Sequence, residues 1–196
     1  VLGGQGTYVR VGSSNATYAG GVFSFDVTVQ NLLTLAMATA DGATRHASGV
    51  RVLFADGPTA TGGTGAITIA NATGTGTFTA AGQSYFQYGG KIGGVDQGDL
   101  GADGILSSSE TSSAKAWQLN VPATVTSFTF TLLVSTQTPP GTLETIAPQV
   151  TGVSPATIRC ARPSTMAVLP TPGSPIRAGL FLVRRARIWI TRSISV

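Results

Sequence analysis

The stretch Gly21-Val22-Phe23-Ser24-Phe25-Asp26-Val27-Thr28-Val29-Gln30-Asn31 decides how the rest of the chain is read. Phe23, Phe25, Val27 and Val29 fall on alternate positions, with small or polar residues between them. Successive side chains of a strand point to opposite faces, so this period of two makes one apolar face and one wet face. A strand of that kind needs a second layer to cover it.

The same pattern recurs farther along the chain. Gly49 to Phe54 reads as a strand that ends at Asp56-Gly57-Pro58, where proline removes a donor and a turn is expected. Leu32 to Ala40 is weaker and runs into the turn signal Asp41-Gly42. Alternation returns between Ala66 and Ala80 through Ile67, Ile69 and Phe78, and Tyr85, Phe86 and Tyr88 follow, closing at Gly89-Gly90. Aromatics so near paired glycines suggest a strand end or a sandwich rim. A polar loop spans Gly93 to Ser113, after which Trp117, Leu119 and Val121 alternate, Pro122 interrupts, and Val125, Phe128, Phe130, Leu132 and Val134 make a long last strand. Six to eight short, one-sided strands separated by Gly and Asp turns predict an all-β chain folded as an antiparallel β-sandwich.

Charged residues make up only 10% of the chain, against about 25% in an ordinary domain, so the surface must be covered by hydroxyls, amides and backbone. The net charge of +4 is unevenly placed. Up to Ile158 eight acidic residues outnumber five basic ones, whereas Arg159 onward holds seven arginines and no acid. The basic balance thus belongs to the tail, and a nucleic-acid-binding reading of the whole chain is excluded. Cys160 is the single cysteine, so no intrachain disulfide forms. No signal peptide is visible at Val1-Leu2-Gly3-Gly4, as expected of a processed or truncated chain. No apolar run reaches the eighteen or so residues of a membrane span; Ala178 to Ile190 is interrupted by Arg184, Arg185 and Arg187.

Four segments carry resemblances: Gly74 to Thr79, Gln83 to Tyr88, Ser112 to Trp117 and Val121 to Phe130. Together they resemble immunoglobulin-like modules of large bacterial secreted or surface proteins, over about residues 5–138. The resemblance implies an immunoglobulin-like sandwich serving as stalk, spacer or adhesive unit. Pro148 to Thr157 resembles the opening of an immunoglobulin-like fold shared by plexins and transcription factors, and the likeness stops after Ile158. The run Pro163 to Pro175, with Gly179 to Arg185, resembles a conceptual-translation family bearing the name NAD-specific glutamate dehydrogenase. No dehydrogenase activity is expected from it, because the tail has no Gly-x-Gly-x-x-Gly between a strand and a helix and its 38 residues are too few for a dinucleotide fold. The expected organisation is a sandwich over 1–138, a linker over 139–147, the start or remnant of a second β-module over 148–158, and an irregular or artefactual basic extension over 159–196.

The sharpest chemical motif is Asp99 to Glu110. Asp99, Asp103, Ser107 and Glu110 stand at loop positions 1, 5, 9 and 12, with Gly104 at position 6 and Leu106 at position 8. Calcium needs hard oxygen ligands on a chain that turns sharply, and this spacing approaches such a loop. Gly101 replaces the usual ligand at position 3, and a solvated loop is the competing reading. Asp96 adds a ligand if the chain folds back.

His46 is the only histidine and its neighbours Arg45, Ala47 and Ser48 supply no convergent set, so neither catalysis nor ligation is expected. Cys160 has no second histidine to pair with, and no Gly-x-Ser-x-Gly elbow occurs. Asn15-Ala16-Thr17 and Asn71-Ala72-Thr73 match glycosylation sequons. Arg184, Arg185, Arg187 and Arg192, interleaved with apolar residues, suit an anionic surface only if the tail is genuine.

The expectation is a non-catalytic structural or interaction module of an extracellular, cell-surface or periplasmic protein or assembly. Its partners are other protein subunits or neighbouring modules, reached in part through exposed strand edges, with no specific nucleic acid and no transmembrane span. The alternative is a carbohydrate-binding module, stabilised by calcium and needing no other cofactor. That alternative requires an exposed aromatic platform near Tyr85, Tyr88 or Trp117, whereas the alternation around Trp117 favours core packing.

Overall fold

Alternation becomes burial along β2 (Val22–Asn31), where Phe23, Phe25, Val27 and Val29 are all buried and the residues between them are half-exposed. The structure is a computed structural model that describes residues 5–140 throughout and, beyond them, the backbone of 157–160, 168–169 and 190–195.

Two sheets face each other, antiparallel throughout except where β11 (Thr157–Cys160) pairs parallel with β13 (Ile190–Ser195). One has the order β1 (Val9–Ala19), β2, β9 (Lys115–Asn120), β4 (Thr68–Ile69). The other places β10 (Val125–Thr136), β3 (Val50–Gly63), β6 (Gln83–Tyr88) and β5 (Gly74–Gly76) side by side. At its far edge β13 (Ile190–Ser195) pairs antiparallel with β10, and β11 (Thr157–Cys160) and β12 (Val168–Leu169) follow. The hairpin β7 (Lys91–Ile92) with β8 (Val95–Asp96) stands apart. Residues 1–4, and most of the expected linker, second module and basic extension, lie outside the described residues.

Between the sheets lies one apolar core holding Phe23, Phe25, Phe54, Phe86, Trp117, Phe128 and Phe130. Each such side chain taken out of water contributes roughly 1.5–3 kcal/mol, the term that drives the sheets together. Among the described residues no helix is long and apolar enough to cross a membrane.

One sequence expectation needs correction, and two further segments take shapes that their sequence pattern does not declare. β3 does not end at Asp56-Gly57-Pro58 but continues to Gly63. Its pairing with β10 shifts register between Thr129 and Thr131, opposite this point, so the ladder absorbs the proline without a turn. Gly57 sits there at φ 73°, with Thr129 O only 2.7 Å from where a Cβ would be, a place that only glycine fills without strain. Leu32 to Ala40 forms no strand; Asn31 instead donates to Leu35 O at 2.8 Å and Leu106 O at 2.9 Å, holding an irregular crossover between the sheets. β1, which has no clear alternation, is an 11-residue edge strand bulged between Ser14 and Thr17.

Side-chain amides occupy part of each edge of the first sheet. Beside β1, the Gln5 carboxamide donates to Val11 O at 2.7 Å and accepts from Val11 N at 2.9 Å. Beside β9, the Asn71 carboxamide donates to Ala116 O at 2.9 Å and accepts from Gln118 N at 2.8 Å. In both places a side-chain amide copies the two hydrogen bonds of a neighbouring strand, which blunts the edge.

The two ends of the eight-strand sandwich emerge at one pole. Val9 pairs with Asn31 there, and Thr136 accepts from Ala38 N at 2.9 Å. The opposite pole is built from the β1–β2 turn, Gly62 to Thr64 and Val121 to Val125, where Val121 N donates to Gly21 O and Thr64 N to Thr124 O.

Candidate functional site

The polar groups that reach inside the sandwich gather around β6 and the start of β9. Lys115, Trp117 and Leu119 share the inward phase of β9, so the strand that plants Trp117 in the core also aims a lysine at the opposite sheet. Lys115 Nζ lies 2.9 Å from Asp99 Oδ2 and donates to Gln87 O at 2.5 Å. It also lies 5.3 Å from the centre of the Tyr88 ring. Both charged side chains are only 20% exposed, so each carries a desolvation cost that the other offsets.

Next to this pair, Trp117 Nε1 donates to Tyr88 Oη at 3.1 Å, and Tyr88 Oη donates to Val27 O at 2.9 Å. Trp117 and Val27 belong to the first sheet and Tyr88 to the second, so the relay ties the layers together through their core. The Trp117 ring stacks on Phe86 with centroids 4.1 Å apart and planes 9° from parallel. Burial pushes the Tyr88 phenol far above its ordinary range; the hydrogen bond from Trp117 opposes this and the Asp99 charge adds to it. Tyr88 therefore stays neutral throughout the physiological range. No buried polar side-chain atom among the described residues lacks a hydrogen-bond partner.

The residues of the expected calcium loop are placed as follows. Asp99 is held by Lys115, and its carboxylate also accepts from Gly89 N at 3.4 Å. Asp103 Oδ1 accepts from Ile105 N at 3.0 Å, and Glu110 Oε2 accepts from Ser107 N at 2.7 Å. Asp96 is drawn to Arg45 at 2.6 Å and to Lys91 at 3.9 Å. Among the described residues, no three His, Cys, Asp or Glu side chains gather as they would around a metal ion. Each carboxylate of the loop has taken a local partner.

Of the expected aromatic platform, Tyr88 and Trp117 are fully buried, and Tyr85 alone is half-exposed. His46 Nδ1 lies 2.7 Å from Ser48 Oγ and accepts from Ser48 N at 3.2 Å, a contact within one turn. The backbone of Cys160 runs in β11, and its side chain lies outside the described residues. Asn15 donates to Asp26 Oδ2 at 2.8 Å, while the Nδ2 of Asn71 is committed to the edge of β9. Asp41 accepts from Thr44 N, Ala43 N and the hydroxyl of Thr39, and these donors, backbone first, hold its carboxyl well below the usual carboxylate range.

Sequence reasoning passed over Lys115 and Gln87. The signal for Lys115 was available: a charge two positions before Trp117, on the same strand phase, has to find a counter-charge. Gln87 carried no such signal, because it lies on the outward phase and is buried at 1% exposure by the turn that follows it. The whole arrangement offers neither an activated nucleophile nor a convergent acid and base, and its chemistry is that of a fastening between sheets. Comparison of the chain with protein-family models, with characterised proteins and with solved structures finds no match.

Proposed function

We propose that the sandwich is a non-catalytic interaction module of an extracellular or cell-surface protein, of the immunoglobulin-like kind. The observation that carries this reading is where charge is missing. No charged residue occurs between Asp56 and Lys91 or between Lys115 and Glu144. These stretches supply β10, β6, β5 and the second half of β3, and much of the pole formed by the β1–β2 turn, Gly62 to Thr64 and Val121 to Val125. Depletion of charge is what sets the centre of a protein–protein interface apart from ordinary surface. Thr61, Gly62, Gly63, Thr64, Ala123, Thr124 and Thr126 leave that pole without like-charge repulsion toward a neighbour. A surface poor in charge and rich in hydroxyls supports the extracellular setting.

Contact through faces and the far pole suits this module better than strand pairing at the first sheet, where Gln5 and Asn71 occupy the edges. Sedimentation velocity up to about 1 mM protein, the range in which weak association is visible, tests the reading. Self-association is expected, weakened by Thr61→Lys with Thr126→Lys and unchanged by Arg10→Lys. A protein that stays monomeric throughout, or that associates equally well with lysines at this pole, refutes the far pole as the contact surface.

A further inference from the structure

Arg51 is on the outward phase of β3, between the core residues Val50 and Val52, and stands beside Gln87 in register. The Gln87 carboxamide is fixed first. Its Nε2 faces three carbonyls, Gly89 O at 3.0 Å, Lys91 O at 3.1 Å and Ala47 O at 3.3 Å, which leaves Oε1 to accept from Arg51 Nε at 2.9 Å. The guanidinium then rests on the Tyr85 ring, with Cζ 4.8 Å from its centroid. Tyr85 in turn lies over Gly74, where a Cβ would come within 3.0 Å of its Oη and push the ring aside by a few tenths of an ångström. Phe78 meets Tyr85 edge-on at 5.8 Å.

A guanidinium held at Nε and against one face still presents its terminal amino groups as a planar fork, the shape that accepts a carboxylate through two hydrogen bonds. Among the described residues Arg45, Lys91 and Lys115 have carboxylates within 4.0 Å, and Arg51 does not. Arg51, Tyr85 and Phe78 are all half-exposed. Holding an arginine this firmly without an acid is the arrangement of a receptor, because the ordering cost is met before a ligand arrives.

We propose that Arg51 binds the carboxylate of an acidic sugar, and that the outer face of β6 and β5 is a subsite for a uronate-containing glycan. No charged residue occurs between Asp56 and Lys91, so β6 and β5 carry no acid to repel a carboxylate bound at Arg51. The guanidinium packs on the Tyr85 ring and Phe78 meets the same ring edge-on, which sets an aromatic surface for a sugar ring beside the charged fork. Thr77 and Thr79, exposed on either side of Phe78 in the chain, supply hydroxyls to a polyhydroxylated ligand. This subsite is independent of self-association at the far pole.

The probe is tetragalacturonate, titrated calorimetrically into the full chain, with its methyl ester as the uncharged counterpart and a tetraglutamate peptide as the polypeptide carboxylate. Tetragalacturonate is expected to bind, and the methyl ester to bind at least tenfold more weakly. Arg51→Lys, which keeps the charge and loses the fork, is expected to weaken binding about tenfold at an unchanged melting temperature. Phe78→Ala lowers affinity a few-fold, and Arg10→Lys leaves it unaltered. Equal affinity for the methyl ester, indifference to Arg51→Lys, or absence of heat at millimolar sugar overturns the proposal. Preference for tetraglutamate overturns the glycan and makes Arg51 a receptor for acidic peptides.

Discussion

Strand β6 carries two tyrosines, and each lies beneath a cation: Lys115 stands 5.3 Å from the ring centre of Tyr88, and Arg51 stands 4.8 Å from that of Tyr85. The inner cation is matched by Asp99 and by a carbonyl, whereas the outer one has only a carboxamide. Buried charge must be neutralised where it stands, because the low-dielectric interior offers no water to do so. Half-exposed charge is solvated already and can be left for another molecule. One strand thus holds a closed polar site on its inner face and an open one on its outer face.

The sharpest way to break this contrast is to make the same truncation on both sides. Lys115→Met leaves Asp99 without its counter-charge and is expected to cost about 2–3 kcal/mol, somewhat under the 3–5 kcal/mol of a wholly buried pair. Arg51→Met removes a solvent-screened stacking contact and is expected to cost less than about 1 kcal/mol. Urea unfolding of the two variants measures both, and similar losses would erase the distinction. Removing the inner pair together, as Lys115→Met with Asp99→Leu, should recover most of the first loss, since no charge is then stranded.

Next in size is the hydroxyl of Tyr88. Tyr88→Phe strands the Trp117 N–H and the Val27 carbonyl inside the core, at a cost of about 1–2 kcal/mol, while Tyr85→Phe changes stability by a few tenths. The inner phenol also carries a pH signature. Its native proton is held beyond the ordinary tyrosine value near 10, so the stabilisation is complete below that pH. Above it the unfolded chain ionises first, and stability falls as pH rises. The advantage of wild type over Tyr88→Phe should therefore shrink by about 1.4 kcal/mol per pH unit above pH 10. A gap that stays constant to pH 11.5 would mean that Tyr88 ionises as readily folded as unfolded.

The inner face was the legible one. Phe23 to Val29, Trp117 to Val121 and Phe128 to Val134 declare their strands because each contributes alternate side chains to a single core. β1 gave no such sign, since most of its residues face water and its bulge interrupts the period. β3 was read as ending at Pro58 because a missing donor ordinarily stops a strand, and the register shift that accommodates it is a property of the partner β10. The outer site was harder still. Arg51, Gln87 and Tyr85 become one unit through pairing between β3 and β6 and through the Gly89-Gly90 turn, none of which leaves a spacing in the chain. Asp99 is legible as an oxygen donor, whereas its ion pair with Lys115, on the far side of a loop, is not.

That last point yields the smallest expected effect. With Asp99 held by Lys115, Asp103 by Ile105 N and Glu110 by Ser107 N, calcium must displace an ion pair and two backbone donors to assemble its ligands. Calcium at 1 mM is expected to raise wild-type unfolding free energy by less than about 0.4 kcal/mol, the shift produced when ligand concentration just equals Kd. Lys115→Met frees the Asp99 carboxylate, so any calcium response should be larger in that variant than in wild type. Thermal unfolding of both proteins with calcium or with chelator measures the difference. A wild-type rise of several degrees that Lys115→Met does not enlarge would show Asp99, Asp103, Ser107 and Glu110 acting together on the ion, and the inner lysine would then be a support for that loop and not the counter-charge that closes it.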